Sequence, residues 1–88
     1  MAVKYGTTGP NNILGASAND TIYGWAPGGN ASSTSGSDTL TGAAGNEQLF
    51  GGTSNDSLIG GAGNDSLDGG TGSDRLNGGT GNDIYVLT

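Results

Sequence analysis

Residues 60–86 carry three abutting nine-residue units: Gly60-Gly61-Ala62-Gly63-Asn64-Asp65-Ser66-Leu67-Asp68, Gly69-Gly70-Thr71-Gly72-Ser73-Asp74-Arg75-Leu76-Asn77 and Gly78-Gly79-Thr80-Gly81-Asn82-Asp83-Ile84-Tyr85-Val86. Their common form is glycine at positions 1, 2 and 4, aspartate at 6 and a large apolar residue at 8. Glycine-rich sequence has no intrinsic reason to hold an acid and an apolar residue two apart at a fixed period, so the repeat is a structural unit and not a matter of composition.

Extended backwards without a slip, the period gives nine units starting at residues 6, 15, 24, 33, 42, 51, 60, 69 and 78. Position 8 reads Ile13, Ile22, Ala31, Leu40, Leu49, Leu58, Leu67, Leu76 and Tyr85, while position 7 is polar in every unit but the last. That alternation is the pattern of a strand with one side inward. Three residues are too few for an ordinary strand, but stacked coils can build a continuous parallel sheet from them. The expected class is all-β, one repeat domain over 6–86, close to the pattern over 33–86 and degenerate over 6–32. Residues 1–5 form an N-terminal extension and 87–88 an abrupt C-terminal end.

Composition limits what such a chain can do. It has 88 residues, 20 of them glycine, with 31% hydrophobic and 6% aromatic content. Ordering it costs on the order of 100 kcal/mol of conformational entropy, and so small an apolar core cannot offset that alone. Cysteine and histidine are absent, which removes disulfides, the usual zinc ligands and the usual general base. Seven Asp and one Glu face only Lys4 and Arg75, for a net charge of −6. That surface repels nucleic acid and attracts hard cations that take oxygen ligands. No apolar run reaches transmembrane length, and Met1 to Tyr5 lack the hydrophobic core of a signal peptide.

The Gly-Gly-x-Gly-x-Asp-x-U-x units, U being large and apolar, resemble the RTX, or haemolysin-type, calcium-binding nonapeptide repeats of secreted bacterial toxins, proteases and lipases. The resemblance implies a right-handed parallel β-roll in which two units make one coil, so that loops alternate between two edges. It places each calcium ion between same-edge loops, bridged by position-6 carboxylates 18 residues apart. One edge then reads Asp20, Asp38, Asp56, Asp74, and the other Asn11, Gly29, Glu47, Asp65, Asp83. Good pairs are Asp20 with Asp38, Asp38 with Asp56, Asp56 with Asp74 and Asp65 with Asp83. A fifth, Glu47 with Asp65, has to absorb an extra methylene. The expectation is four or five calcium ions, unequally divided between the edges.

Residue type explains the rest of the loop. Gly51, Gly52, Gly60, Gly61, Gly63, Gly69, Gly70, Gly72, Gly78, Gly79 and Gly81 let the backbone turn sharply and aim carbonyls into one concavity, and the aspartate adds a carboxylate where turn becomes strand. Such a cup suits calcium at roughly 2.3–2.6 Å better than magnesium, which demands a tighter octahedron. Strict alternation of edges also puts Ile22, Leu40, Leu58 and Leu76 in one buried file and Leu49, Leu67 and Tyr85 in the facing one.

The unit Gly24-Trp25-Ala26-Pro27-Gly28-Gly29-Asn30-Ala31-Ser32 departs most from the pattern, with proline at position 4, glycine at 6 and alanine at 8. It reads as a turn that has lost its metal function, or a bulging loop, with Trp25 patching the weak coil. At position 9, Leu14, Tyr23, Phe50 and Ile59 make an apolar outer face, and Ile84 to Leu87 leave an apolar final strand. Both are places for a neighbouring domain or another copy. Asp68, also at position 9, reads as a solvated charge.

No enzyme is expected, since no triad can be assembled without His or Cys and a carboxylate row shared with calcium is a poor acid. The leading function is a calcium-dependent folding and stability module of an extracellular protein, expanded without the ion and folded with it. One alternative is an ice- or surface-binding roll, using the small polar files Ser17, Ser35, Thr53, Thr71 and Asn19, Ser37, Asn55, Ser73. The other is a self-assembling or partner-docking module.

Overall fold

The computed structural model describes residues 3–6, 12–15, 21–24 and 36–86. Nine three-residue strands lie among them: β1 (Val3–Tyr5), β2 (Asn12–Leu14), β3 (Thr21–Tyr23), β4 (Thr39–Thr41), β5 (Gln48–Phe50), β6 (Ser57–Ile59), β7 (Ser66–Asp68), β8 (Arg75–Asn77) and β9 (Ile84–Val86). All pairing is parallel, in two sheets ordered β1-β3-β5-β7-β9 and β2-β4-β6-β8. Successive strands therefore alternate between sheets, and the chain is a parallel β-roll.

Each strand spans positions 7 to 9 of a unit, and its central residue points inward. Ile22, Leu40, Leu49, Leu58 and Leu67 are fully buried, with Ile13 and Leu76 packed against them from either end of their sheet. Burying a Leu or Ile completely contributes roughly 1.5–3 kcal/mol, so this thin double file is a modest core for the length of chain it organises. Among the described residues no helix is long and apolar enough to cross a membrane.

The inward files differ from the expected ones at the N-terminal end. Ile22 pairs with Leu49, not with Leu40, and Ile13 pairs with Leu40. The files are Ile22, Leu49, Leu67, Tyr85 on one sheet and Ile13, Leu40, Leu58, Leu76 on the other. The cause is one long connection. Every other pair of consecutive strands is joined by six residues, whereas β3 and β4 are joined by fifteen, residues 24–38. Backbone bonds mark the same break: the Gly42, Gly51 and Gly60 N–H groups donate to the carbonyls of Ile59, Asp68 and Asn77, each 17 residues on, but Gly15 and Gly24 donate to Thr41 and Phe50, 26 residues on. The difference is nine, one whole unit. Because a coil holds two units, removing one from the winding exchanges the edges of everything before it. Trp25, Pro27, Gly29 and Ala31 lie outside the described residues.

Two further expectations change. Val3–Tyr5 is a strand in register with β3, nine residues before β2, so the roll begins inside the segment read as an extension. Tyr85 keeps the inward register opposite Leu67 but is 47% exposed. It belongs to the last described rung and is covered from one side only, and its hydroxyl accepts a hydrogen bond from the Gly78 N–H at 2.7 Å. On the outer face, Tyr5, Tyr23 and Phe50 stack in sequence, with centroids 5.1 and 5.2 Å apart and planes within 16° and 13°. The fifteen-residue connection is what makes Tyr23 and Phe50 neighbours.

Candidate metal centre

Every described position-6 acid stands at the junction where a six-residue loop enters a strand. The Asp38, Asp56 and Asp74 loops lead into β4, β6 and β8 and form one edge. The Glu47, Asp65 and Asp83 loops lead into β5, β7 and β9 and form the other. Asp20 lies outside the described residues, but the strand after it, β3, is in the sheet opposite β4. The expected Asp20–Asp38 pair is therefore not made, because the nine-residue excess in residues 24–38 has moved Asp20 to the other edge. The same shift takes Gly29 out of the row before Glu47.

The remaining four pairs are brought together by one hydrogen-bond motif. The backbone N–H of Asp38 donates to Asp56 Oδ1 at 2.8 Å, that of Asp56 to Asp74 Oδ1 at 2.7 Å, that of Glu47 to Asp65 Oδ1 at 2.9 Å and that of Asp65 to Asp83 Oδ1 at 2.9 Å. Each carboxylate thus reaches one rung back. Asp38, Glu47, Asp56 and Asp65 are all at most 2% exposed. For Asp56 and Asp65, the second carboxylate oxygen, Oδ2, is buried with no hydrogen-bond partner. A buried ionised oxygen without a donor is among the most costly arrangements a protein can hold.

Glycine fills two separate needs in these loops. Positive φ falls at positions 2 and 4: Gly52, Gly61, Gly70 and Gly79, then Gly45, Gly63, Gly72 and Gly81. Ser54 holds position 4 of its loop at φ 72°, a strained place for a residue with a Cβ. Position 1 is needed for closeness instead. A Cβ on Gly51, Gly60 or Gly69 would lie 2.6, 2.5 or 2.6 Å from Oδ2 of the acid in the same loop, and on Gly51 also 2.9 Å from the Gly69 carbonyl oxygen of the next loop. The bare Cα leaves room beside the orphaned carboxylate oxygens, with a carbonyl from the neighbouring rung at hand.

Charge is expensive in this row. Burial pushes the Asp56 carboxyl up to about 7 from an ordinary 3.8; the Asp38 N–H bond pulls it back by less, and the Asp38 and Asp74 carboxylates push it up further. Asp74 is also raised, by burial first, against the Asp56 N–H bond and with Asp68 adding repulsion. Among the described residues no three acidic, histidine or cysteine side chains converge on one point. A cation here would be held by a pair of carboxylates and backbone carbonyls, the donor set of a hard, flexible ion. The residues fit calcium.

Sequence reasoning missed a second ladder. Oδ1 of Asn46, Asn55 and Asn64 accepts the N–H of Asn64, Ser73 and Asn82 at 2.9, 2.7 and 2.8 Å, each 18 residues on. The signal was there, asparagine recurring at position 5. Asp68 is a correction of the solvated charge expected: it is half-buried and its Oδ1 accepts the Gly70 N–H at 2.9 Å, as Asn77 does for Gly79 at 3.0 Å. Position 9 opens the next turn, where a short polar side chain folds back onto the backbone two residues on.

A two-edged parallel β-roll with stacked acids at the mouth of each strand defines a class of calcium-binding repeat proteins. The model of the RTX calcium-binding nonapeptide repeat, in four copies, matches residues 5–26, 31–58 and 50–85. The chain belongs to that family. The gap between the first two matches, residues 27–30, falls inside the long β3–β4 connection. No curated protein and no solved structure matches the chain.

Proposed function

We propose that this chain is a calcium-dependent folding and stability module of a secreted bacterial protein, with ions held between Asp38 and Asp56, Asp56 and Asp74, Glu47 and Asp65, and Asp65 and Asp83. The count is four, two on each edge. The register of Thr21 with Gln48 makes Glu47 the residue to test as a partner for Asp20, which would bring a fifth. The observation that carries the reading is the buried, unpartnered Oδ2 of Asp56 and Asp65, an arrangement that strongly favours a bound cation.

Bound calcium supplies two positive charges and a demand for six to eight oxygens. The chain's own residues do the rest. Asp56 and Asp65 each serve two gaps, Oδ1 fixing the rung behind while Oδ2 stays available. The position-1 glycines keep Oδ2 uncovered, and the turns at positions 2 and 4 bring carbonyls of successive loops close together. Without cation the row is mutually repulsive, which suits an expanded chain in a low-calcium interior and a folded one outside. Lacking His and Cys, the module has no catalytic part in this reading. Exposure of Leu14 at 59% and Ile84 at 64% supports a neighbouring domain or copy over the outer face or final strand.

A calcium titration followed by far-UV circular dichroism tests the proposal. The expected result is little regular structure in chelator and a cooperative gain of β-signal with calcium, magnesium being a poor substitute. An already folded, calcium-indifferent spectrum would overturn it.

A further inference from the structure

We infer that Gly24 is the first residue of the calcium loop that ends at Asp38, and that residues 25–33 are a nine-residue insertion within that loop which no calcium site requires. The nonapeptide phase gives that first position to Ser33, nine residues later. The inference rests on the calcium reading above and goes beyond it in naming which chain segments close the site.

Three observations place Gly24 there. Its N–H donates to the Phe50 carbonyl at 2.7 Å, the bond that Gly51 makes to Asp68 and Gly60 to Asn77. A Cβ on Gly24 would meet the Gly51 carbonyl oxygen and lie 2.7 Å from Asp38 Oδ2, and Gly51 stands in the same way to the Gly69 carbonyl and Asp56 Oδ2. Finally, β3 pairs directly with β5 and β2 directly with β4, so neither sheet has a place for a strand between them. Asp56 supplies an independent sign that this gap takes a ligand, because its Oδ2 is buried and unpartnered on the rung that the Asp38 N–H already grips. Joining residue 24 to 34 would leave Gly24-Thr34-Ser35-Gly36-Ser37-Asp38, a six-residue loop with glycine at 1 and 4 and aspartate at 6.

The test is the full chain beside a deletion of residues 25–33, Gly24→Ala, Gly51→Ala and Ser33→Leu. Bound calcium is counted by native mass spectrometry, and folding is followed by circular dichroism. The deletion variant is expected to bind as many ions as the parent. Shortening the loop from fifteen to six residues favours folding about fourfold by loop closure, so its calcium midpoint should be equal or lower. Gly24→Ala should lose one ion and raise the midpoint, as Gly51→Ala does, and Ser33→Leu should change neither. A deletion variant that binds fewer ions or stays unfolded at saturating calcium overturns the inference. So does loss of an ion in Ser33→Leu with Gly24→Ala unaffected. A parent chain that binds no calcium removes the underlying reading instead, and is recognised as such before any variant is compared.

Discussion

Replacing Asp56 by asparagine should change the sign of its effect with calcium. Asparagine has the same shape and keeps an Oδ1 to accept the Asp38 N–H, so the substitution isolates charge. In chelator the wild-type carboxylate is a liability. Burial, with Asp38 and Asp74 alongside, lifts it from 3.8 to about 7, and at ~1.4 kcal/mol per pH unit that distance is on the order of 4 kcal/mol. A carboxyl raised in the folded state favours folding while protonated. Its penalty is absent below pH 3.8, grows from there to about 7, and is complete at pH 8. At pH 8, in chelator with an osmolyte to hold a measurable folded fraction, Asp56→Asn should therefore be more ordered than wild type, and the gap should close as the pH is lowered to 4. In saturating calcium the same change removes a ligand from two gaps, and breaking a buried charge partnership typically costs roughly 3–5 kcal/mol. Urea unfolding followed by circular dichroism reads both arms. A variant less stable than wild type in both, with no pH dependence to its deficit, would show that Asp56 is held by packing and that its charge is incidental.

Leu58→Ala should cost roughly 2–5 kcal/mol in urea unfolding at saturating calcium, since Leu58 is fully buried between Leu40 and Leu76 and stacked rungs cannot collapse into the void. Leu76→Ala, at the half-buried end of the file, should sit near the low end, and the reverse order would contradict the inward register. Asp68→Ala should lose about 1 kcal/mol with its turn bond to Gly70, while Asp68→Asn stays close to wild type. Equal losses in the two variants would assign the effect to charge and not to the turn.

The roll itself was legible from residues 60–86, because a period of nine combined with an inward residue at position 8 admits few other windings. The carboxylate pairs on Asp56, Asp65, Asp74 and Asp83 followed from the resemblance and are neighbours in the structure. The edge of Asp20 and the file of Ile22 were not legible from period alone. The β3–β4 connection exceeds the others by one whole unit, which preserves phase while exchanging edges, and no periodicity analysis senses that. Chemistry could have sensed it. A unit with glycine in place of the acid and alanine in place of the inward residue has nothing to hold it in a rung. Val3–Tyr5 was passed over because no glycine loop precedes it, although it lies one period before β2. Asp68 was misread because its position was treated as the end of a strand and not as the start of a turn.

The two side-chain ladders have a mechanical meaning. Asp65 reaches back to the N–H of Glu47 while Asn64 accepts from Asn82 ahead, so contiguous residues clasp the loops on either side, and these clasps, like the bonds between strands, connect one rung to the next. Tension applied between the chain ends loads only the outermost rung, opening its clasps in turn instead of shearing many at once. Each opened coil releases 18 residues of thread, the spacing of every clasp, or roughly 60 Å when drawn straight. The roll is thereby built to yield at low, repeating force, as a tether that lengthens in even steps and rewinds from whichever coils remain.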